Sequence, residues 1–572
     1  MPNQRRRGLI SKLTKFVSSE GKLSSAAKRR RNIAGGASPR TIPNNEVEAP
    51  KGRHSTIASE ISSVAPPGLC GLDSLATGGL RPRLNSSATS WLRRSENTPV
   101  VTRRSFCASV GAGLQGAALL HLLGNDLFAV DPIVATDLRS RPTHFPARAK
   151  SVIQLFMNGG PSQMDLFDPK TELDRHHGEA YFNKIAGEVE NVTDAGALMR
   201  SPFKFAKYGE CGMSVSNALP HLTKHVDDIA LIRSLFTTNI THEPALYIIQ
   251  SGHMPSGYPT LGSWVVYGLG SECQNLPAYV VLDDPLGLPI NGVENWHAGF
   301  LPPIFQGTRF RSTGSPVLNL RPETADPPEI ARLQRDLLNR LDRRHQRQRP
   351  SQPNLDARIA SYELAARMQM SATDALDLSQ ETRQTQELYG IGREPTDSYG
   401  RRCLIARRLV ERGVRFVQLF INAQIWDNHT GLATDMKAAC DRTDLPIAGL
   451  LFDLKQRGLL DETLIVWGGE FGRLPIAQLP KDKDERKAGR DHNKNAACCW
   501  LAGGGVKGGT TYGATDDLGF AAVEDRVSVS DWHATILHLL GLHHEDLFVN
   551  EHGLKEKLTG VQPARVVREI LA

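Results

Sequence analysis

Four short segments of this 572-residue chain gather the side chains that bind metal ions or move protons. WDNHTG supplies Asp427 and His429, GGEFGR supplies Glu470 and Arg473, GRDHN supplies Asp491 and His492, and DWHATILHLLG supplies Asp531 and His533. Carboxylate oxygens and imidazole nitrogens drawn from several loops are what a hydrolase needs to hold a Lewis-acidic divalent ion such as Zn, Mn, Mg or Ca. A single Asp-x-His is more often structural, and Asp531 stands where a helix N-cap would stand. The weight rests on the segments taken together. Other candidates carry less. Gly503-Gly504-Gly505 followed by Lys507-Gly508-Gly509 lacks the spacing of a phosphate-binding loop and reads as a tight loop leaving a strand. His176-His177 and His543-His544 read as solvated surface pairs, and His538 as a packing residue beside Ile536, Leu537 and Leu540.

Such segments need a scaffold that brings them to one place. The apolar runs 151–157, 229–232, 278–282, 414–421, 464–467 and 497–502 read as buried strands, the first closed by the turn Asn158-Gly159-Gly160-Pro161. Helical patterns lie between them, as over 445–457, where Leu445, Ala448, Leu451, Phe452 and Lys455 recur at helical spacing. Strands alternating with helices predict an α/β domain with a mostly parallel sheet covered on both faces. In such sheets ligands bind beyond the carboxyl ends of the strands. The WDNHTG and GGEFGR segments each follow a strand, and GRDHN directly precedes one. Residues 327–390 differ in kind. Ile330, Leu333, Leu337, Leu338 and Leu341 form one apolar stripe with Arg332, Arg335, Arg340 and Arg343 off it, and a second helix follows over about 355–370. This pair reads as a helical insertion with a solvated basic face.

The net charge of +7 and the isoelectric point of 8.9 invite a nucleic-acid reading that the charge distribution excludes. Residues 1–150 hold 23 basic and 9 acidic side chains, leaving 45 basic and 52 acidic ones in the rest. The body is mildly acidic and has no basic stripe with interleaved aromatics. Residues 1–100, rich in Arg, Ser, Gly and Pro, read as a disordered or mis-assigned leader. Arg103-Arg104 then precede a mild run of small residues, Ala108 to Leu123, too short and polar for a stable membrane span. Over 101–135 this is the pattern of a twin-arginine signal, which implies the twin-arginine export machinery as partner and a periplasmic or extracellular site of action. A signal so far from Met1 suggests a translation start near Val100 or Val101. The cysteines of the body show no zinc-ligand spacing, and Cys498-Cys499, in an apolar run, read as buried thiols.

The stretches VIQLFMNGGPSQMDLFDPK, SYELAARMQM, WDNHTG, PIAGLLFDLKQRGLLDETLIVWGGEFGR, GRDHN, LAGGGVKGG and DWHATILHLLGL closely resemble an exported bacterial family. It is described as a domain of unknown function, number 1501, within the alkaline phosphatase–sulfatase superfamily. The resemblance covers about residues 150–542. It implies a three-layer α/β/α sandwich over 150–545 with a tail at 546–572, and a metal-assisted site for phosphate or sulfate esters. The superfamily pattern implies Asp427, His429 and His492 as ligands of one metal, and Asp491 of GRDHN is a further candidate ligand by its residue type. Glu470 keeps a carboxylate where Phe471 replaces a ligating imidazole. Asn158 stands where the first strand ends in a metal-binding Asp, and Asp165 is the alternative. HEPALYIIQSG places His242 in the nucleophile position, where it would be a nucleophile, a ligand or a relic, with the Thr241 hydroxyl beside it. Arg473 would neutralise the anionic ester. The expected function is an exported metal-dependent hydrolase of small-molecule or glycan esters. The rival is a non-catalytic exported protein that binds sulfated or phosphorylated glycans.

Overall fold

The predicted apolar runs all become strands of one sheet in a computed structural model that describes residues 137–572 except 312–316, 318–325, 350–351 and 422–423. The leader, the twin-arginine segment and the suggested start near Val100 lie outside the described residues. Strands β1 (Ser151–Phe156), β2 (Ile229–Phe236), β3 (Tyr279–Leu282), β4 (Thr308–Phe310), β5 (Phe416–Phe420), β6 (Thr463–Gly468), β7 (Ala497–Ala502), β8 (Thr510–Tyr512) and β9 (Val527–Ser528) make up this sheet. Their order is β8-β2-β7-β6-β1-β5-β3-β4, with β9 also on β2. β7 runs antiparallel to both β2 and β6, while the other pairs are parallel. That reversal matters for the site. The start of β7, and the GRDHN segment before it, falls at the same edge as the carboxyl ends of the parallel strands.

Every residue of β1, β3, β5 and β7 is buried. Successive strand side chains point to opposite faces, so both faces of the sheet are covered and the fold is a three-layer α/β/α sandwich. The described helices include α1 (His242–Ser251), α2 (Leu261–Leu269), α3 (Pro328–Gln348), α4 (Pro353–Leu376), α5 (Asp397–Glu411), α6 (Leu432–Gln456) and α7 (Val529–Leu539). Gln418 of β5 donates to Gln250 of α1 at 2.9 Å, and Gly262 lets α2 lie directly on Tyr279 and Phe416. α5 packs on β1 and β5 and pairs with α6.

Three elements depart from the sequence reading. The helix expected over 445–457 begins at Leu432 and runs through Pro446. A proline so placed reads as a first-turn residue, but the preceding turn is held from outside, Asp444 accepting the backbone N–H groups of His221 and Leu222 at 2.7 and 2.8 Å. Residues 546–572, expected as a tail, bury Leu547, Val549, Leu558, Val567 and Ile570 in the main core. Each such side chain contributes roughly 1.5–3 kcal/mol, so this segment is part of the domain. The apolar stripe of α3 is left exposed. The cysteines among the described residues are free thiols, with Cys498 and Cys499 buried as expected.

Candidate metal centre

Four segments converge at the carboxyl edge of the sheet. His242 opens α1 after β2, Asp427 and His429 lie between β5 and α6, and Glu470 follows β6. His492 sits in a short ribbon, His492–Asn493 against Gly472–Arg473, just before the reversed β7. Two glycines allow the loops to meet. Gly159, at φ +109°, passes so close to the backbone of Asp427 that a Cβ there would lie 2.5 Å from its nitrogen. A Cβ on Gly489 would lie 2.1 Å from the carbonyl oxygen of Asn428, so only glycine lets GRDHN lie against WDNHTG. The backbone bond from Arg490 N–H to Asn428 O, 3.0 Å, ties the two together.

Asp427 is the hub. Its Oδ1 faces His429 Nε2 at 2.9 Å and His492 Nε2 at 3.2 Å, and its Oδ2 faces His242 Nε2 at 3.4 Å. One donor atom from each of His242, Asp427, His429 and His492 falls in a set whose members lie within 4.8 Å of one another. Ligands about 2.1 Å from one ion are separated by roughly 4.2 Å at most, so this spacing is close to that of a filled site. The other ring nitrogens point outward to oxygens. His242 Nδ1–H donates to Glu470 Oε1 at 2.7 Å and His429 Nδ1–H donates to Gln478 Oε1 at 2.5 Å, while His492 Nδ1 lies 2.5 Å from Glu190 Oε2 without the geometry of a hydrogen bond. An outer acceptor on one nitrogen fixes the tautomer and turns the other lone pair inward, as in carboxylate–histidine–metal arrangements. His242 Nε2 is buried and makes no hydrogen bond among the described residues. The donor set therefore fits a divalent cation.

Charge agrees with this arrangement. Burial works against the His242 imidazolium, but the Asp427 and Glu470 carboxylates outweigh it and raise its pKa to about 9. Burial likewise opposes charge on His429, and Asp427 raises it. Burial alone would raise the pKa of Asp427. The three imidazoles and the Arg473 guanidinium instead hold it far below the usual carboxylate range. Glu190 is lowered, chiefly by the His492 ring it faces. This is the excess of stabilised negative charge that a bound cation would neutralise.

The other expected residues fall into place around the centre or away from it. Arg473 reaches Asp427 Oδ1 at 2.7 Å but is 1 % exposed, with its remaining bonds going to the carbonyls of Gly159, Gly160, Trp426 and Arg490. It is committed to holding the loops and the hub. Phe471 packs at a tilt against His242 and His492, at ring-centroid distances of 4.8 and 4.5 Å, and forms an apolar wall in the place of an imidazole. Thr241 is exposed and caps α1 without a side-chain capping bond. Asp491 is buried, accepts Asn191 N–H at 2.9 Å and lies 3.9 Å from His429 Nδ1. Asn158 donates to Ile421 O at 2.9 Å, and its Oδ1 has no partner among the described residues.

Asp165 is placed elsewhere. Its carboxylate forms a fully buried ion pair with Arg490 at 2.7 Å and accepts Ser162 Oγ–H at 2.5 Å. Asp531 is also outside the centre. The N-cap of α7 is Ser528, and Asp531, the third residue of the helix, closes its capping box. His533 donates to Ile249 O at 2.9 Å and has an unpartnered Nδ1. His538 packs at a tilt against Phe145, ring centroids 4.8 Å apart. His176 and His543 are at the surface, but His544 is buried against Thr559. Glu190 and Gln478 escaped the sequence reading, because neither lies in a segment of repeated ligand types.

Comparison with solved structures gives matches at low similarity. A lipoteichoic acid synthase, LtaP, from Listeria monocytogenes is 12 % identical, with 74 % of this chain and 78 % of that one covered and a TM-score of 0.29. The PsFucS1 sulfatase from Pseudoalteromonas sp. is 12 % identical over 70 % and 69 % of the two chains, TM-score 0.30. The alkaline phosphatase of the Antarctic bacterium TAB5 is 12 % identical over 68 % and 98 %, TM-score 0.25. None of the curated proteins matches. Residues 149–571 match the family described as "Protein of unknown function (DUF1501)", and the chain belongs to that family.

Proposed function

We propose that this protein is an exported metal-dependent hydrolase of phosphate or sulfate esters, carried on small molecules or glycans. One observation carries the reading: three imidazole Nε2 atoms converge on Asp427 while Nδ1 of His242 and of His429 bonds an outer oxygen and Nδ1 of His492 lies beside the Glu190 carboxylate. A set of three imidazoles and one carboxylate suits Zn or Mn better than the oxygen-seeking Ca or Mg. His242, Asp427, His429 and His492 would hold the ion, so His242 acts here as a ligand. When bound, the metal would supply Lewis-acid polarisation of the ester and a lowered pKa for water.

The chain's own residues do the positioning. Glu470, bound by Gly159 N–H at 2.9 Å and by His242, fixes the α1 imidazole to the end of β1. Gln478 bonds the outer nitrogen of His429, and the Glu190 carboxylate pairs with the His492 ring. Arg473 holds Asp427 in place and offsets its charge, while Phe471 excludes water from one side of the rings. Thr241, free of capping duty at the exposed start of α1, offers the hydroxyl that can meet an ester. Helix N-termini attract anions, which favours a phosphoryl or sulfuryl group there.

Elemental analysis of the purified protein, paired with assays on aryl phosphate and aryl sulfate panels, tests this reading. One bound ion per chain, lost in His429→Ala and His492→Ala together with ester turnover, is expected. Metal bound without turnover on any ester would favour the glycan-binding alternative. Metal content unchanged in both variants would sink the ligand assignment.

A further inference from the structure

Helix α3 is mounted in reverse for a helix that serves this domain alone. A surface helix normally turns its apolar stripe to the core. In α3 the partly covered residues are Ala331, Asn339, Asp342 and Gln346, and Gln346 donates to Asp356 of α4 at 3.0 Å. The stripe of Ile330, Leu333, Leu337, Leu338 and Leu341 is instead 45 % to 59 % exposed. No residue of α3 is buried. α4, by contrast, buries Ala357, Leu364, Met368, Ala372 and Ala375. The pair is thus anchored through α4, with polar side chains of α3 the more covered ones and its apolar stripe left half exposed, Leu341 at the edge of the groove beside α4.

We propose that α3 docks on the surface of an anionic phospholipid bilayer, lying in the interface without crossing it. The stripe covers residues 330–341, about 18 Å at 1.5 Å per residue, well short of the ~30 Å hydrocarbon core. Among the described residues no helix is long and apolar enough to cross a membrane. Charge selects the occupant. α3 carries six arginines against Glu329, Asp336 and Asp342, and Arg340, Arg344 and Arg347 follow at four- and three-residue steps along the border of the stripe. Their aliphatic stems can lie beside the leucines while the guanidinium groups rise to anionic headgroups. A second copy would set one arginine-bordered stripe against another. Tyr362 of α4, 61 % exposed, shares a groove with Leu341 and Arg344 and is the residue type that meets headgroups. This docking is independent of the ester chemistry.

Flotation of the full chain with vesicles of equal parts phosphatidylglycerol and phosphatidylcholine, against phosphatidylcholine alone, tests the proposal. The basic residues before 137 also attract anionic vesicles, so the readout is the difference between the natural protein and variants that keep them. The combined variant Leu333→Gln, Leu337→Gln, Leu341→Gln and the combined variant Arg340→Gln, Arg344→Gln, Arg347→Gln change only exposed side chains. Each is expected to lower partition onto anionic vesicles about tenfold or more, with unchanged circular dichroism. Equal partition of the natural protein and the leucine variant overturns the proposal. So does a dimer in sedimentation that the leucine variant converts to monomer, since the stripe would then be a contact between copies.

Discussion

WDNHTG and DWHATILHLL look alike on paper, each an Asp with a His two residues on, yet the fold sends them to opposite fates. His429 meets a carboxylate hub and two further imidazoles beyond the strand ends. His533 is buried in α7 against the carbonyl of Ile249, and Asp531 spends its carboxylate on the helix start. Burial is common to both regions, and the outcome differs because only the first is supplied with carboxylates. His242 is raised to about 9 by Asp427 and Glu470 against its burial, whereas burial lowers His533 to about 4. An Asp-x-His becomes a candidate metal site when other segments bring it charge and outer acceptors. Otherwise it is structural.

The sharpest way to break that distinction uses the carboxylates. Asp165, paired with Arg490, is structural on this view, so Asp165→Asn is expected to cost about 3–5 kcal/mol by stranding a buried guanidinium. Denaturant unfolding would show the loss, and metal content of the folded fraction should not change. A drop in metal with stability intact would move Asp165 into the centre.

His533 gives the next largest effect. Its folded pKa lies below the unfolded value near 6.5, so the unfolded state takes up more protons between those values. The stability of the neutral form is fully present above about 6.5 and is lost as pH falls toward about 4, by about 3 kcal/mol at most. Protonation would place an N–H at Nδ1, which has no acceptor among the described residues. Unfolding measured at pH 7 and pH 4.5 should show a loss in the natural protein beyond that in His533→Gln. Identical losses would mean that His533 does not titrate as its burial implies.

Glu190→Gln sharpens the other side. Removing an outer partner of a metal-binding imidazole lowers metal affinity roughly 10–100-fold, and competition with a chelator would read it. An unchanged affinity would reduce the Glu190–His492 contact to a surface ion pair. The smallest effect is expected at the α7 cap, where Ser528→Ala should cost about 1 kcal/mol without touching metal content.

Much of the scaffold was legible because its strands are buried on both faces and so read as unbroken apolar runs. The short strands Thr308–Phe310 and Thr510–Tyr512 were not, since three residues carry too little pattern. Asp427, His429, Glu470 and His492 were legible as ligand types at strand ends. Their convergence depended on the reversed β7, which no spacing announces. Glu190 and Gln478 gave no signal, because an outer acceptor needs only an oxygen in the right place. The stripe of α3 was visible, and its outward direction was not, since periodicity shows a face but not what the face meets.

The most direct measurement is anomalous X-ray scattering from crystals of the metal-loaded protein, recorded at the absorption edge of the ion. A single peak roughly 2.0–2.2 Å from Nε2 of His242, His429 and His492 and from an Asp427 oxygen is the expected result. No peak there, or an ion held without His429 and His492, would contradict the assignment of this cluster as a metal centre.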